Sequence, residues 1–527
     1  MTKRNRRRAW LLSLLAPMFA GAHAAPEPQA NPAFDIWEYA IEGNTLLERN
    51  LIERIVYSHL GEKKSIDDVE RARAALEQAY RDAGYPTVFV DIPEQDVKEG
   101  VVRLKITEGR IERLRVTGSR YYSLGRITAE VPSLAAGGVP HMAQVQAELD
   151  RLNRASPDRS VAPVMRAGRT PGTVEVELKV RDELPLHGSL EVNNRNTADT
   201  TSTRVLGSLR YDNLWQRYHS ASLQYQTAPE NTAEVKVLAG TYVMPFIDAR
   251  SRLALYAVKS ESDVATVGDL SVIGDGSIYG VRAVFPFAAT PDFFHSLTLG
   301  ADYKDFDENL VLQGADTLNT PISYLPFSAR YEAMWRGDGY STRFGVGATL
   351  SLRGIGNDQQ EFEDKRFLAR SNFMHLNASF AHTRELPYGF RLEGRVEGQL
   401  ADSPLISNEQ FAAGGAESVR GYRESQALGD DGVSGTLELQ TPGLVRAGWT
   451  WPDRLVGLAF LDAARLRVRE ALPGQEDSFV LSSVGVGLRF TAWTHWAGTL
   501  DMAWPFHASG DIEAGDERVH FRVAYEF

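Results

Sequence analysis

The sequence predicts two small α+β modules, each with the element order β-α-α-β-β, followed by a sixteen-stranded antiparallel transmembrane β-barrel. Three observations predict this fold. Apolar residues recur at helical spacing only before residue 186. After it, they alternate with polar and charged residues at a period of two, in segments of about ten residues. The final segment, residues 518–527, alternates in the same way and ends on Phe527.

The composition argues against several other classes of protein. The 527 residues carry a formal net charge of −12, contain no cysteine and have a mean hydropathy of −0.29. The apolar runs are too short for transmembrane helices. Without cysteine there is no disulfide scaffold, thiolate metal site or catalytic thiol. A negative net charge argues against nucleic acid as a partner, because phosphate contacts need basic patches.

Residues 1–24 have the pattern of a secretory signal peptide. A basic start precedes a short apolar stretch that ends in Ala22-His23-Ala24, a typical cleavage site. We therefore expect an exported protein whose mature chain begins at Ala25. Residues 25–33 form a short lead-in.

Residues 34–109 predict the first module. Its predicted elements are a strand at 34–41, helices at 47–56 and 66–83, and strands at 87–92 and 101–107. An open strand edge beside a helix is a groove to which an extended peptide can add through backbone hydrogen bonds. The candidate contact residues are Leu51, Ile55, Val88 and Val90. The alternative is that the modules are inert spacers.

Residues 110–185 repeat the same order and predict the second module. The predicted elements are a strand at 111–116, helices at 122–131 and 142–153, and strands at 160–166 and 173–181. A repeat of about 75 residues indicates a domain duplication rather than a solenoid.

Residues 186–527 predict the barrel, because an apolar face that alternates with full charges suits lipid on one side and a watery lumen on the other. An even number of strands places both ends of the barrel on the periplasmic side. Paired acids such as Asp430-Asp431 are expected in solvated loops. The predicted strands are 187–195, 203–212, 219–227, 234–243, 251–260, 276–285, 295–306, 322–335, 340–353, 370–382, 389–400, 431–441, 455–467, 479–491, 495–505 and 518–527.

A long loop at about 401–430 contains Val419-Arg420-Gly421-Tyr422. Further runs are Phe460-Leu461-Asp462-Ala463-Ala464, Gly485-Val486-Gly487-Leu488-Arg489, and Pro93-Glu94-Gln95-Asp96-Val97 with Gly100 and Glu108-Gly109-Arg110-Ile111. Together these runs resemble the TpsB transporters of two-partner secretion, the filamentous haemagglutinin and haemolysin secretion proteins of the Omp85 superfamily. They match the motifs V-R-G-Y, F-x-D-x-G (with Ala464 in place of glycine), G-x-G-x-R and P-x-Q-x-V…G…E-G-x-I. By this resemblance the two modules are POTRA domains. Members of the family often carry an N-terminal helix that plugs the barrel, but residues 25–33 are too short to supply one, so we expect no N-terminal plug helix.

The resemblance implies that Arg420 at the loop tip pairs with Asp462 on the barrel wall. Glu438, which is expected to face inward on a neighbouring strand, is a competing partner. A charge pair in a partly dehydrated lumen would hold the loop, whereas an exposed pair would contribute little.

The remaining predicted wall partners are Phe460, Gly485, Gly487 and Arg489. Because Val486 and Leu488 should face lipid, the glycines and Arg489 should face the lumen. We expect the two glycines to leave room for the loop to approach the wall. Tyr525 and Phe527 resemble the C-terminal assembly signal of outer-membrane proteins.

The function that the resemblance implies is the secretion of one large TpsA-type exoprotein across the outer membrane of a Gram-negative bacterium. The POTRA modules would capture the unfolded partner in the periplasm, and the loop would gate or stabilise the barrel. Expected partners also include outer-membrane lipid, periplasmic chaperones and the barrel assembly machinery, and a monomer is expected. The alternatives are an outer-membrane protein assembly factor and a passive porin. The sequence shows no catalytic motif and predicts no enzyme, cofactor or metal site.

Overall fold

The computed structural model describes residues 33–527 apart from 98, 199, 263, 268–269, 274, 312–316, 446–447 and 449–450. The predicted signal peptide, the lead-in as far as residue 32 and the predicted absence of a plug helix lie outside the described residues. Within the described residues, no helix is both long and apolar enough to cross a membrane.

The first module is built around a three-stranded sheet of order β2-β5-β4, with β2 parallel and β4 antiparallel to the central β5. A short strand, β3, pairs with β1; the sequence does not predict it, because Gly-Glu-Lys-Lys has no apolar alternation. The elements are β1 (Phe34–Ile36), β2 (Glu38–Glu42), α1 (Arg49–Tyr57), β3 (Gly61–Lys64), α2 (Ile66–Asp82), β4 (Val88–Asp91) and β5 (Val101–Glu108).

Helix α2 packs its predicted apolar face on this sheet. The buried residues of the helix are those expected from the spacing, namely Val69, Ala72, Leu76 and Tyr80. The helix begins at a capping box, in which the Asp68 carboxylate accepts hydrogen bonds from the Ser65 backbone N–H at 2.9 Å and from the Ser65 hydroxyl at 3.2 Å. These bonds and Arg71 lower the pKa of Asp68 from 3.8 to about 2.

The second module repeats the arrangement. It has a sheet of order β6-β8-β7, with β6 parallel to β8. Residues Ile127, Val145, Leu149 and Leu152 of its two helices are buried. The elements are β6 (Arg110–Thr117), α3 (Leu124–Ala129), α4 (Met142–Arg154), β7 (Arg159–Ala167) and β8 (Thr173–Asp182).

The rest of the chain forms a closed antiparallel barrel. Its strands and one helix, in chain order, are β9 (Leu186–Asn193), β10 (Arg204–Leu214), β11 (His219–Thr227), β12 (Lys236–Phe246), β13 (Asp248–Glu261), β14 (Val264–Val267), β15 (Leu270–Ile273), β16 (Gly276–Pro286), β17 (Phe293–Val311), β18 (Thr317–Tyr324), β19 (Pro326–Gly337), β20 (Tyr340–Ser351), α5 (Gln359–Lys365), β21 (Met374–Glu385), β22 (Arg391–Ala401), β23 (Phe411–Ala413), β24 (Ala427–Gly429), β25 (Asp431–Gln440), β26 (Arg454–Arg467), β27 (Ser478–Ala492), β28 (Trp496–Pro505) and β29 (Arg518–Glu526). The hairpins β14–β15 and β23–β24 form separate two-stranded sheets and are not part of the barrel wall. Since β18 and β19 are two segments of one strand, both paired with β17, the wall has sixteen strands.

The barrel closes through β29, which pairs antiparallel with β9. The wall has the predicted alternation: Val486 and Leu488 are 51% and 41% exposed on the outer face, whereas Phe460 and Asp462 are buried on the inner face. The predicted fold class is therefore confirmed. The largest differences are longer strands than predicted, such as β17, whose ladder runs past residue 306 to Val311.

Candidate functional site

The long segment between β22 and β25, residues 402–430, lies inside the barrel; we call it the lumen loop. It contains the short hairpin β23–β24, and the motif Val419-Arg420-Gly421-Tyr422 lies between these two strands. The motif residues contact inward-facing side chains of β25, β26, β27 and β29. The loop is therefore held against several neighbouring wall strands.

Arg420 makes the densest set of these contacts, although the residue is only 4% exposed. Its Nε and Nη2 donate to the two carboxylate oxygens of Asp462 at 2.8 and 2.9 Å, a bidentate pair. Its Nη1 donates to Glu438 Oε2 at 2.9 Å. Its backbone N–H also donates to Asp462, and its carbonyl oxygen lies 2.8 Å from His520 Nε2. Both carboxylates that the sequence offers thus bind the same guanidinium, and we call Arg420, Asp462 and Glu438 the arginine clamp.

The guanidinium also stacks on an aromatic ring of the wall. Arg420 Cζ lies 3.3 Å from the centroid of the Phe460 ring, a cation–π contact. The Phe460 ring in turn lies over Gly485, where a Cβ would be 2.2 Å from Phe460 Cζ. Gly485 thus makes room for the aromatic ring that supports the clamp.

The expected role of the wall glycines in admitting the loop is therefore wrong. At Gly487 an added Cβ would be 2.0 Å from Asp501 Oδ1, and this carboxylate pairs with Arg489 at 2.6 and 2.9 Å on the inner wall. The glycine that permits close approach is on the loop itself. A Cβ on Gly421 would lie 2.8 Å from Ser483 Cβ and 3.1 Å from Pro505 Cα.

The other two motif residues are apolar anchors. Val419 and Tyr422 are fully buried, in one cluster with Ala464 and Leu481 of the wall. The Tyr422 hydroxyl donates to the carbonyl oxygen of His507 at 2.8 Å. Ala464, which replaces the glycine of the family motif, is part of this packing.

A second anchor holds the start of the lumen loop. Glu409, which is 7% exposed, accepts hydrogen bonds from Lys304 at 2.5 Å and from the Tyr324 hydroxyl at 2.7 Å. Its other oxygen lies 3.2 Å from His375 Nε2. The sequence does not reveal this cluster, because Glu409 lies on the loop, its three partners lie on different wall strands, and the set matches no motif.

A third anchor holds the end of the loop, and it corrects the expectation that Asp430 is solvated. Asp430 is fully buried. It binds the guanidinium of Arg366, with an Nη2 to Oδ2 distance of 2.7 Å, and accepts a backbone hydrogen bond from Arg469 at 2.7 Å. The neighbouring Asp431 pairs with the Arg469 side chain at 2.8 and 3.0 Å.

The predicted contact residues of the first module fall into two groups. Leu51 and Ile55 are partly exposed on α1, but Val88 and Val90 are 0% and 2% exposed, packed beneath α2. Alternation along β4 turns the side chains of these two valines into the core, so they remain candidates for contact through their backbone groups at the strand edge. The outward residue between them is Phe89, which is 50% exposed.

The C-terminal residues extend the pairing of β29 with β9, which is the seam at which the barrel closes. The backbone of Phe527 exchanges two hydrogen bonds of 3.0 Å with Gly188, beside the β29–β9 ladder. The Phe527 ring fills the space next to Gly188, where a Cβ would lie 2.4 Å from Phe527 Cζ. The Tyr525 ring lies beside Trp496, with 5.2 Å between centroids.

A polar cavity of about 560 Å³ remains beside the clamp inside the barrel. Its lining carries charges of both signs. The lining includes Glu191, Arg395, Arg420, Glu424, Asp501 and Arg522.

A small α+β module followed along the chain by a closed sixteen-stranded barrel, with a loop anchored in the lumen, defines the class of outer-membrane β-barrel proteins that carry an N-terminal soluble domain. A family model for POTRA domains of the ShlB type matches residues 34–109. The model of the family described as haemolysin secretion/activation protein ShlB/FhaC/HecB matches residues 172–490, more than half of the chain, and the chain belongs to this family. Family and fold together place the barrel in the outer membrane and the POTRA domain in the periplasm.

Curated relatives are similar over much of their length. The outer membrane transporter CdiB of Dickeya dadantii is 23% identical over 520 residues, covering 94% of this chain and 87% of the relative. The heme/hemopexin transporter protein HuxB of Haemophilus influenzae is 20% identical over 394 residues, covering 72% of this chain and 67% of the relative.

Solved structures share the fold at low sequence identity. CdiB from Escherichia coli has a TM-score of 0.61 at 20% identity, with 96% of this chain and 93% of that chain covered. BamA from Haemophilus ducreyi lacking POTRA domains 1–3 has a TM-score of 0.59 at 14% identity, with 94% of this chain and 100% of that chain covered.

Proposed function

We propose that this protein is the outer-membrane pore of a two-partner secretion system, which captures one large exoprotein in the periplasm and passes it through the barrel in extended form. The relatives CdiB and HuxB are described as transporters, in the case of HuxB for heme/hemopexin. The observation that carries the proposal is the arginine clamp, because a buried charge cluster that holds a loop in the lumen suits a pore that must be closed at rest.

The gate in this proposal is the lumen loop. With the loop docked, the arginine clamp and the Glu409 anchor tie it to the wall, and the Asp430 anchor ties it to Arg366 at the end of α5. Passage of a polypeptide requires the loop to move, and the polar cavity next to Arg420 is the space in which an entering chain first meets the clamp. Backbone amides and water can replace the hydrogen bonds of a charge cluster, so its release needs no additional cofactor.

Capture would occur at β4 of the first module. Among the residues that the structure describes, β4 pairs with β5 alone and is an edge strand of the sheet. Arg73 of α2 donates to the carbonyl oxygen of Val90 at 3.4 Å, so the helix lies beside this edge. An extended exoprotein segment would add to β4 through backbone hydrogen bonds, with Phe89 as an apolar side-chain contact. Leu51 and Ile55 on α1 are further candidate contacts for the exoprotein.

The other partners follow from the same assignment. The exposed apolar outer face, which includes Leu400 at 64% exposure, would contact outer-membrane lipid. Tyr525 and Phe527 would serve as the signal that periplasmic chaperones and the barrel assembly machinery recognise. The assembled pore would act as a monomer.

Site-specific photocrosslinking in cells that produce both proteins tests the capture step. A photoreactive amino acid in place of Phe89 should crosslink to one large exported polypeptide, identified by mass spectrometry. The matched control is Ala162, an exposed position on β7, the corresponding edge strand of the second module; it should give at most background crosslinking.

Two outcomes would contradict the proposal. Equal crosslinking at Phe89 and Ala162 would remove the assignment of capture to the first module. Crosslinks to many precursors of outer-membrane barrels, instead of one large exoprotein, would identify an assembly factor and overturn the secretion function.

A further inference from the structure

Three ligand-type side chains converge outside the lumen site. They are Asp158, His187 on β9 and Asp212 on β10, and their ligand atoms all lie within 4.8 Å of one another. His187 Nε2 is 3.1 Å from Asp158 Oδ1 and 3.6 Å from Asp212 Oδ2. All three residues belong to the same compact unit, formed by residues 119–126, 153–160 and 181–527.

Two of these side chains, of which His187 is 33% exposed, each have one buried atom without a hydrogen-bond partner among the described residues. The Asp158 side chain is only 8% exposed, and within the described part of the chain its Oδ2 has no hydrogen-bond partner. His187 Nε2 is likewise buried, and its short separation from Asp158 lacks hydrogen-bond geometry. A buried carboxylate with an unpartnered oxygen is costly, and a cation bound by either oxygen of the same carboxylate would offset this cost.

We propose that Asp158, His187 and Asp212 bind a divalent transition-metal cation of the zinc class. One imidazole and two carboxylates form a ligand set that Zn²⁺ accepts, whereas Ca²⁺ and Mg²⁺ prefer oxygen ligands throughout. Tetrahedral bonds of about 2.0–2.1 Å place neighbouring ligand atoms about 3.4 Å apart. The separations of 3.1 and 3.6 Å bracket that edge length. Water supplies the fourth ligand.

One neighbouring charge competes with the cation. Arg210 Nε lies 3.1 Å from Asp212 Oδ2, and the Ser220 hydroxyl donates to the other oxygen of the same carboxylate. The Arg210 side chain is 52% exposed, so it can turn into solvent when a metal binds. The bound cation would join the segment 153–160 to the first two barrel strands, which no disulfide can do in a chain without cysteine.

Zinc binding to the full-length protein in detergent, purified without a polyhistidine tag, tests this site. We expect one equivalent of Zn²⁺ to bind saturably in competition with a chromophoric chelator, and Co²⁺ to give the visible absorption of a tetrahedral complex. His187→Gln and Asp158→Asn should each weaken binding by tenfold or more. His219→Gln is the matched control, since His219 lies on the adjacent strand β11 and contacts Tyr242 rather than an acid.

A variant with increased affinity keeps the test independent of folding defects. Arg210→Gln removes the competing guanidinium and should tighten Zn²⁺ binding severalfold. The proposal is overturned if the wild-type protein binds no Zn²⁺ at micromolar concentration, or if His187→Gln and His219→Gln bind equally. In that event His187 and the two aspartates form an ion-pair cluster. Because this readout is metal affinity, its outcome is independent of the secretion function.

Discussion

Replacement of Arg420 by alanine should undock the lumen loop while the barrel stays folded. The substitution removes two hydrogen bonds to Asp462, one to Glu438 and the contact with the Phe460 ring. It also leaves two inward carboxylates without their cation. Loss of one partner from a buried ion pair costs about 3–5 kcal/mol. Because the clamp borders a polar cavity, we take the lower limit, about 3 kcal/mol, which corresponds to roughly a hundredfold shift of the docking equilibrium.

The absence of cysteine makes this shift measurable. A single Val419→Cys reporter replaces a fully buried residue of the loop, so a maleimide reacts with it only when the loop undocks. Adding Arg420→Ala should raise the labelling rate about a hundredfold. In planar bilayers the same variant should show larger and longer channel openings.

Arg423 provides the matched control. It is another loop arginine, but its partner Asp511 is 53% exposed, and such a pair contributes about 0–1 kcal/mol. Arg423→Ala should therefore change the labelling rate by less than about fivefold. If Arg420→Ala also stays within that limit, in protein that retains the heat-modifiable migration of a folded barrel, the clamp does not hold the loop.

Two further predictions concern the barrel seam and the first module. Gly188→Val should displace the Phe527 ring from the seam and lower the folded fraction on heat-modifiability gels, with an overpacking cost of about 1–3 kcal/mol. Gly207→Val is the control, because an added Cβ there meets nothing within 4 Å, and it should leave the folded fraction unchanged. Equal folded fractions for the two variants would contradict this reasoning. Because the pKa of Asp68 falls from 3.8 to about 2 on folding, its stabilisation of α2 should be complete above about pH 4–5 and be lost as the pH falls towards 2. Asp68→Asn should remove this acid dependence from the module transition in calorimetry of the full-length protein, and an unchanged dependence would assign it to other groups.

The strands of the barrel are predictable because lipid imposes a strict rule on them. Every second residue of a wall strand must suit hydrocarbon, so the alternation along β20, β22 and β27 directly indicates strands of the wall. The helix α2 is equally predictable from the sequence, because it has a capping box and a single apolar stripe. The short strand β3 is not predictable, since it carries no alternation and exists only through its pairing with β1.

The site was only partly predictable for a different reason. Sequence similarity pointed to Arg420 and Asp462, but no local pattern links Glu409 to Lys304 or Asp430 to Arg366. Those pairs form because the loop folds back into the lumen, and that path depends on the wall around it. The acid pair at 430–431 looks solvated in the sequence, because a residue between two strands normally lies in water.

The chemistry of the loop contacts bears on how the pore could open. The loop has apolar contacts in two clusters, one with Val419 and Tyr422 and one with Leu405 and Ile406. Its other anchors are carboxylates bound by arginine, lysine, tyrosine and histidine. A purely apolar anchor would lose free energy in proportion to the area exposed to the watery lumen whatever entered it. Hydrogen-bonded charges instead exchange partners with an incoming polypeptide, whose backbone offers donors and acceptors along its whole length. In the proposed mechanism the substrate itself therefore supplies the groups that release the loop, and the anchors can reform once the chain has left.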